Sequence, residues 1–294
     1  MSDTLRSALP EIYAPLLPDF FDHAPPREDK ATCDSCAMCA PPGTPPAEAV
    51  TYFRPDAKCC TYHPMLPNYL VGAILADTRP DMQEGKRRIR EKIAQRIGVS
   101  PRWITPPRKQ ELLRKASWRS GFGRSLVLLC PYFERAQGNC TIWRHRESVC
   151  TTFFCKYTAG ADGEDFWRAL RRYTGWLENT LSSLAARSLV PGHIEARPPA
   201  GELTLEELED RAPASETYEA LWGEWVGCEE EFFVRCHEWA SALSRDGFEA
   251  LVRGDEYDER LAGLVAARDT ILNPRLPERL VPNPEMGSSE TPDG

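Results

Sequence analysis

Apolar residues recur at helical spacing through the second half of the chain and only in patches through the first. From Asp165 onward Phe166, Leu170, Tyr173, Trp176 and Leu177, then Leu181 and Leu184, return every three or four residues. That period lines one face of a long amphipathic helix. Tyr218, Trp222, Trp225, Phe232, Phe233 and Trp239 predict a second long helix over residues 217–243, and a last one follows over 257–272. Between the first two, residues 189–215 carry prolines and charges and read as a linker around a short helical piece at 204–210.

In the first half, Ile89, Ile93 and Ile97 share one face of a helix over residues 80–97, which Gly98 stops. Residues 108–117 predict a shorter helix, and Ser125–Cys130 reads as a buried strand ahead of Pro131, with a helix left open at that length. Prolines punctuate residues 1–29, which predict an irregular arm, and Pro41-Pro42-Gly43-Thr44-Pro45-Pro46 is a stiff extended loop. The whole predicts a mainly α protein with few short strands. It divides into the arm (1–29), a loop-rich cysteine region (30–160), a helical region (161–280) and a disordered tail (281–294). A region with so little regular structure needs another source of rigidity. A bound metal supplies one, because its binding free energy becomes folding free energy.

Composition narrows the class without naming a function. The chain has 294 residues, 41% hydrophobic and 27% charged, which suits a globular protein with a sizeable core. A net charge of −8 argues against a dedicated nucleic-acid binder. Thirteen basic residues between Lys86 and Arg124, with Trp103 and Trp118 nearby, leave that reading open beside the simpler one of a solvated helix face. The longest apolar stretch, Tyr69–Ala76, is eight residues, whereas a membrane span needs about 20. Residues 1–20 lack the basic start and apolar run of a secretory signal. The expected compartment is therefore the cytoplasm, where thiols stay reduced.

That expectation bears directly on the cysteines. Nine of the eleven lie between Cys33 and Cys155, in three groups: Cys33, Cys36 and Cys39; Cys59 and Cys60; Cys130, Cys140, Cys150 and Cys155. An odd total and a reducing compartment favour metal over a disulfide framework. Thiolates are metal ligands, and two-residue spacing lets neighbouring sulfurs converge on one centre. The simple ferredoxin run fails, because its fourth cysteine would fall at Gly43. A zinc ribbon fails too, since Cys150 and Cys155 are not a C-x2-C pair. One tetrahedral ion uses four ligands, so nine allow two sites or one multinuclear cluster. Cys228 and Cys236 sit eight apart among aromatics and read as core.

His63 follows Cys60 by three residues and reads either as a nitrogen ligand or as a partly buried side chain capping a turn before Pro64. His145, inside the third group, reads as a ligand or as a hydrogen-bond partner of one. Arg144, Arg146 and Lys156 flank cysteines, where cations lower thiol pKa values, or else they simply solvate a loop. The chain holds no phosphate loop, dinucleotide fingerprint, H-E-x-x-H or nucleophile elbow, so the common hydrolase, kinase and dehydrogenase routes are unsupported.

One stretch is more specific. Cys130-Pro131-Tyr132-Phe133 is followed by Gly138-Asn139-Cys140-Thr141-Ile142-Trp143-Arg144, then Arg146, Cys150, Thr152, Phe154 and Cys155. This resembles the second block of the CxxCxxCC zinc- or iron-chelating domain family, which includes the cysteine-cluster domain of flagellin lysine N-methylases. The resemblance covers roughly residues 30–160. It departs in the first block, where Ala40 stands in place of the fourth cysteine and the adjacent pair falls at Cys59-Cys60. The resemblance implies an iron–sulfur cluster, with zinc as the alternative. The leading expectation is thus a metal-binding protein in electron transfer, metal handling or redox sensing. The alternatives are a metal-dependent protein-modifying enzyme, and a structural zinc protein whose helical aromatic stripe docks a protein partner.

Overall fold

The computed structural model describes residues 4–30, 36–190, 203–252 and 254–272. Cys33, residues 191–202 of the expected linker and the expected tail at 281–294 lie outside the described residues.

The arm is irregular, as its prolines require, and it is packed. Helix α1 (Leu5–Ala8) is capped by Thr4, and Leu5, Leu16, Leu17 and Phe21 are buried. The Arg6 guanidinium holds the arm in shape by donating to the carbonyls of Leu17 and Pro18 and to Asp22. Glu28 anchors its end by accepting from Trp167 Nε1 at 2.6 Å. After the proline loop comes a short helix, α2 (Pro46–Ala49).

The eight-residue apolar run is the centre of the fold. It follows strand β1 (Leu66–Pro67) and forms α3 (Asn68–Ala76), of which every residue from Asn68 to Leu75 is buried. A helix apolar on all sides has to be enclosed. Its polar member Asn68 is satisfied by donating to the carbonyls of Pro101 and Ser182, both at 3.0 Å. Helix α4 (Gln83–Gln95) forms as the isoleucine spacing predicts, burying Ile89 and Ile93. Arg96 turns to φ 59°, so Ile97 lies beyond the helix end. Strand β2 (Trp103–Ile104) pairs antiparallel with β1. Helices α5 (Arg108–Ala116) and α6 (Trp118–Gly121) follow.

Ser125–Cys130 is not a buried strand. Leu126–Leu128 is a 3-10 turn and Val127 is 74% exposed. The segment finds no partner strand: Leu128 and Leu129 donate back to Ser125 and Leu126, and only Cys130 reaches across the fold. Strands β3 (Phe133–Glu134) and β4 (Asn139–Cys140) form a small hairpin, and α7 (Ser148–Thr152) follows.

The helical half begins with α8 (Gly160–Leu189), which buries Phe166, Leu170, Tyr173, Leu177 and Leu181 on one face. After α9 (Leu205–Leu208), the expected single helix over 217–243 is broken in two, α10 (Ser215–Trp222) and α11 (Glu229–Ser241). Gly223 causes the break: its φ of 54° and ψ of −126° belong to a region that glycine alone occupies readily. The aromatic period survives because Trp222 and Trp225 both pack on Phe232, with ring centroids 5.4 and 5.2 Å away. Cys236 is buried in α11 as expected, but Cys228 sits at the break and is exposed. Two further helices follow among the described residues, α12 (Arg245–Val252), which sequence periodicity did not reveal, and α13 (Asp255–Leu272).

One hydrophobic core runs from Leu5 to Leu264, with α3 against α11, α8 and α4. The cysteine and helical regions share it. The aromatic stripe lies inside it: Tyr218, Trp222 and Phe233 are buried, and Trp225 and Trp239 pack against them. That stripe is therefore not a docking surface. Part of the basic run is paired with carboxylates, Arg88 with Glu134, Arg90 with Glu230, Arg108 with Glu207 and Lys109 with Asp210. Surface pairs of this kind add little stability, and their main effect is to offset part of the positive charge. Trp118 stacks on Phe122 at 4.6 Å. Among the described residues no helix is long and apolar enough to cross a membrane.

Candidate metal centre

Three chain segments are tied together by backbone bonds at the cysteines. Phe53 N donates to Met38 O at 2.7 Å, joining the first group to the segment that leads to Cys59. Cys130 N donates to Cys60 O at 2.8 Å, joining the third group to the second. Lys58, in the left-handed region at φ 50°, extends its Nζ to Gly138 O at 3.2 Å and so holds the turn before Cys140.

These ties bring seven of the nine expected ligands into one neighbourhood. Cys36 and Cys39 share a hydrogen bond, and Cys39 lies within electrostatic reach of Cys59. Cys59 and Cys60 share a second hydrogen bond, and Cys60 feels both Cys130 and Cys140. Cys150 feels Cys130 and Cys140 in turn. Cys155 lies just beyond α7, half-buried, on the same segment as Cys150. None of the described cysteines forms a disulfide. The sulfurs meet in pairs; among the described residues no group of three or more Cys, His, Asp or Glu side chains is placed to hold one ion.

The thiols differ in acidity for identifiable reasons. The S–H of Cys60 donates to Cys59, and with the Arg146 and Lys58 cations this brings Cys59 down to about 7 against its burial. Giving that bond, together with burial, pushes Cys60 far up. Cys39 is raised to about 11, by burial first and then by its bond with Cys36. Burial also raises Cys130 and Cys140. Each of their sulfurs nevertheless accepts the backbone N–H of the residue two further on, Tyr132 and Ile142, which favours the thiolate. Cys150 is held as a thiol by burial and by the neighbouring charge of Glu147. Donor chemistry and amide placement suit a soft metal or cluster, whose properties depend on hydrogen bonds to its sulfurs.

Arg146 is fixed by its own bonds, to Trp143 O at 3.0 Å and Cys150 O at 3.1 Å, and its Cζ lies 3.3 Å from the centre of the Trp143 ring. Lys58 has a comparable role and was legible only as the residue before Cys59. Glu147 was not legible at all: it caps α7 by accepting from Val149 N and Cys150 N at 2.7 and 3.0 Å. His145 is committed to Asp77, Nε2 to Oδ2 at 2.9 Å, rather than to the cysteines. A cleft of about 850 Å3 lined by Met82, Glu134, Asn139, Cys140 and Trp143 opens beside the group.

Behind Cys150 lies a buried polar network. Glu178 on α8 accepts from Tyr13 Oη at 2.9 Å and Ser148 N at 2.7 Å, and Tyr13 meets Tyr69 at 3.0 Å. Burial first, and the charge of Glu147 second, raise Glu178 from 4.5 to about 8. A carboxyl raised on folding favours the folded state fully below its ordinary pKa and loses that contribution as pH rises through its folded value. Glu178→Gln keeps the acceptor and removes the charge. Urea midpoints between pH 5 and pH 8 are expected to fall with rising pH in the wild type and to stay flatter in the variant. Equal slopes would mean that Glu178 is ionised throughout.

No family model, curated protein or solved structure matches the chain.

Proposed function

We propose that this protein holds a cysteine-ligated metal centre, an iron–sulfur cluster in preference to zinc, and works in electron transfer, metal handling or redox sensing. The observation that carries the reading is the gathering of seven described cysteines from three segments into one neighbourhood. Amide N–H groups at Cys130 and Cys140 and cations at Cys59 support it, because each favours thiolate over thiol. With Cys33 and Cys155 the ligand supply exceeds the four of a single ion, which favours a cluster or two centres. The likeness to the zinc- or iron-chelating family points the same way. Cys33, Cys36, Cys39, Cys59, Cys60, Cys130, Cys140, Cys150 and Cys155 are the proposed ligand pool.

A second reading, metal-dependent modification of a protein substrate, draws on the cleft beside Cys140. Reaction there would need an open coordination position.

The test is purification without oxygen, with iron, zinc and acid-labile sulfide quantified and an absorption spectrum recorded. Iron and sulfide in comparable amounts are expected, with thiolate-to-iron absorption in the visible. Zinc without sulfide would replace the cluster by a zinc site, and a chain holding neither metal would refute the proposal.

A further inference from the structure

His63 is 4% exposed, fully inside rather than capping a surface turn. Its Nδ1 stands 3.3 Å from Gln110 Oε1. A carbonyl oxygen only accepts, so the ring proton is assigned to Nδ1 and the lone pair to Nε2. That Nε2 is buried and has no hydrogen-bond partner. Burial keeps the ring neutral, with its pKa lowered to about 3, and the nearby Lys92 cation works in the same direction. A neutral imidazole with one nitrogen bare and the other donating to an oxygen is the arrangement of a metal-ligating histidine.

Its surroundings are those of the cysteine centre. The bond from Cys130 N to Cys60 O sets residues 60–63 beside residues 130–132. The His63 ring meets the Tyr132 ring edge-on, with centroids 6.1 Å apart. Tyr132 in turn lies within electrostatic reach of Cys130 and Cys140, and its hydroxyl is also buried without a partner. Lys92, beyond His63, feels Cys130. Two unsatisfied polar atoms on adjoining rings, one of those rings within electrostatic reach of two thiols, demand a common explanation.

We infer that His63 Nε2 is a nitrogen ligand of the metal centre, so that the ligand set is mixed cysteine and histidine. The inference rests on the metal-centre reading above. Neutral nitrogen in place of thiolate removes one negative charge from the set and raises the reduction potential of a cluster. Gln110 then serves as a positioning residue that fixes the tautomer and the ring.

The test uses the full chain labelled with 15N in histidine only and isolated without oxygen. The centre is made paramagnetic by reduction, or by exchange of zinc for Co2+, and pulsed EPR records its nitrogen couplings. One histidine nitrogen coupling is expected in the wild type, lost in His63→Leu and kept in His145→Gln. Gln110→Ala should keep the coupling while weakening metal affinity about 10- to 100-fold, the usual cost of losing such a partner. A metal-loaded wild type without nitrogen coupling, as a water between His63 and Tyr132 would give, overturns this inference alone. So does a coupling that persists in His63→Leu. A chain that binds no metal overturns the underlying reading and this one with it.

Discussion

Cys59→Ser is expected to strip the chain of bound metal, a larger loss than the replacement of any other single cysteine. The Cys59 thiol is brought down to about 7, toward its ionised form at neutral pH. It also stands at the junction of the site, within reach of Cys39 on one side and Cys140 on the other. Serine keeps nearly the same shape, but its hydroxyl stays protonated and is a poor ligand for metals that prefer sulfur. Serine can still accept from Cys60, so what the substitution removes is the thiolate itself. The loss should exceed the roughly 10- to 100-fold that changes around a ligand produce. Metal and sulfide per chain, measured after anaerobic isolation, report it. Cys228→Ser is the matched control, since Cys228 is exposed at the break between α10 and α11. It should leave metal content unchanged. Wild-type stoichiometry in Cys59→Ser would remove Cys59 from the centre.

Periodicity made the outer helices legible, because an amphipathic helix prints its buried face on the sequence. The expectations for α4 and α8 rest on that imprint, and both helices form, as do those expected over residues 108–117 and 257–272. It hid α3 for the same reason. A helix buried on every side has no polar face, so the run from Tyr69 to Ala76 shows length without phase. Tertiary contact overrode local reading elsewhere. Trp222 and Trp225 keep helical phase across a Gly223 break because they pack on the same ring, and Cys228 fell with that misreading. At the site, spacing gathered the cysteines into groups, but only the fold could join the groups. The bond from Cys130 to Cys60 spans 70 positions, and the carboxylate of Glu147 reaches Cys150 through a helix cap that no spacing announces.

Gly72→Ala is expected to destabilise the protein although alanine is the better helix former. An ideal Cβ at Gly72 would lie 1.9 Å from Phe233 O, 2.6 Å from Phe233 C and 2.7 Å from His237 Cβ. The first two are backbone atoms of α11, so no side-chain rotation relieves the clash, and α3 and α11 have to part. Overpacking of this kind costs about 1–3 kcal/mol, sometimes more. The gain in helix propensity is only about 1 kcal/mol, and loosening Phe232 and Phe233 adds to the loss. A net fall of about 2 kcal/mol should lower Tm by roughly 4–8 °C in a chain of this size. Gly263→Ala in α13 supplies the contrast, since nothing lies within 4 Å of the added carbon. It should raise stability by about 0.4–1 kcal/mol. The two variants thus carry the same substitution with opposite signs, read as urea midpoints on one instrument. If Gly72→Ala shared the sign of Gly263→Ala, the close crossing of α3 and α11 would be refuted. Because α3 belongs to the cysteine region and α11 to the helical region, the same data bear on their cooperation. A single transition shifted as a whole is expected from one shared core, whereas a split transition would show that the two regions unfold separately.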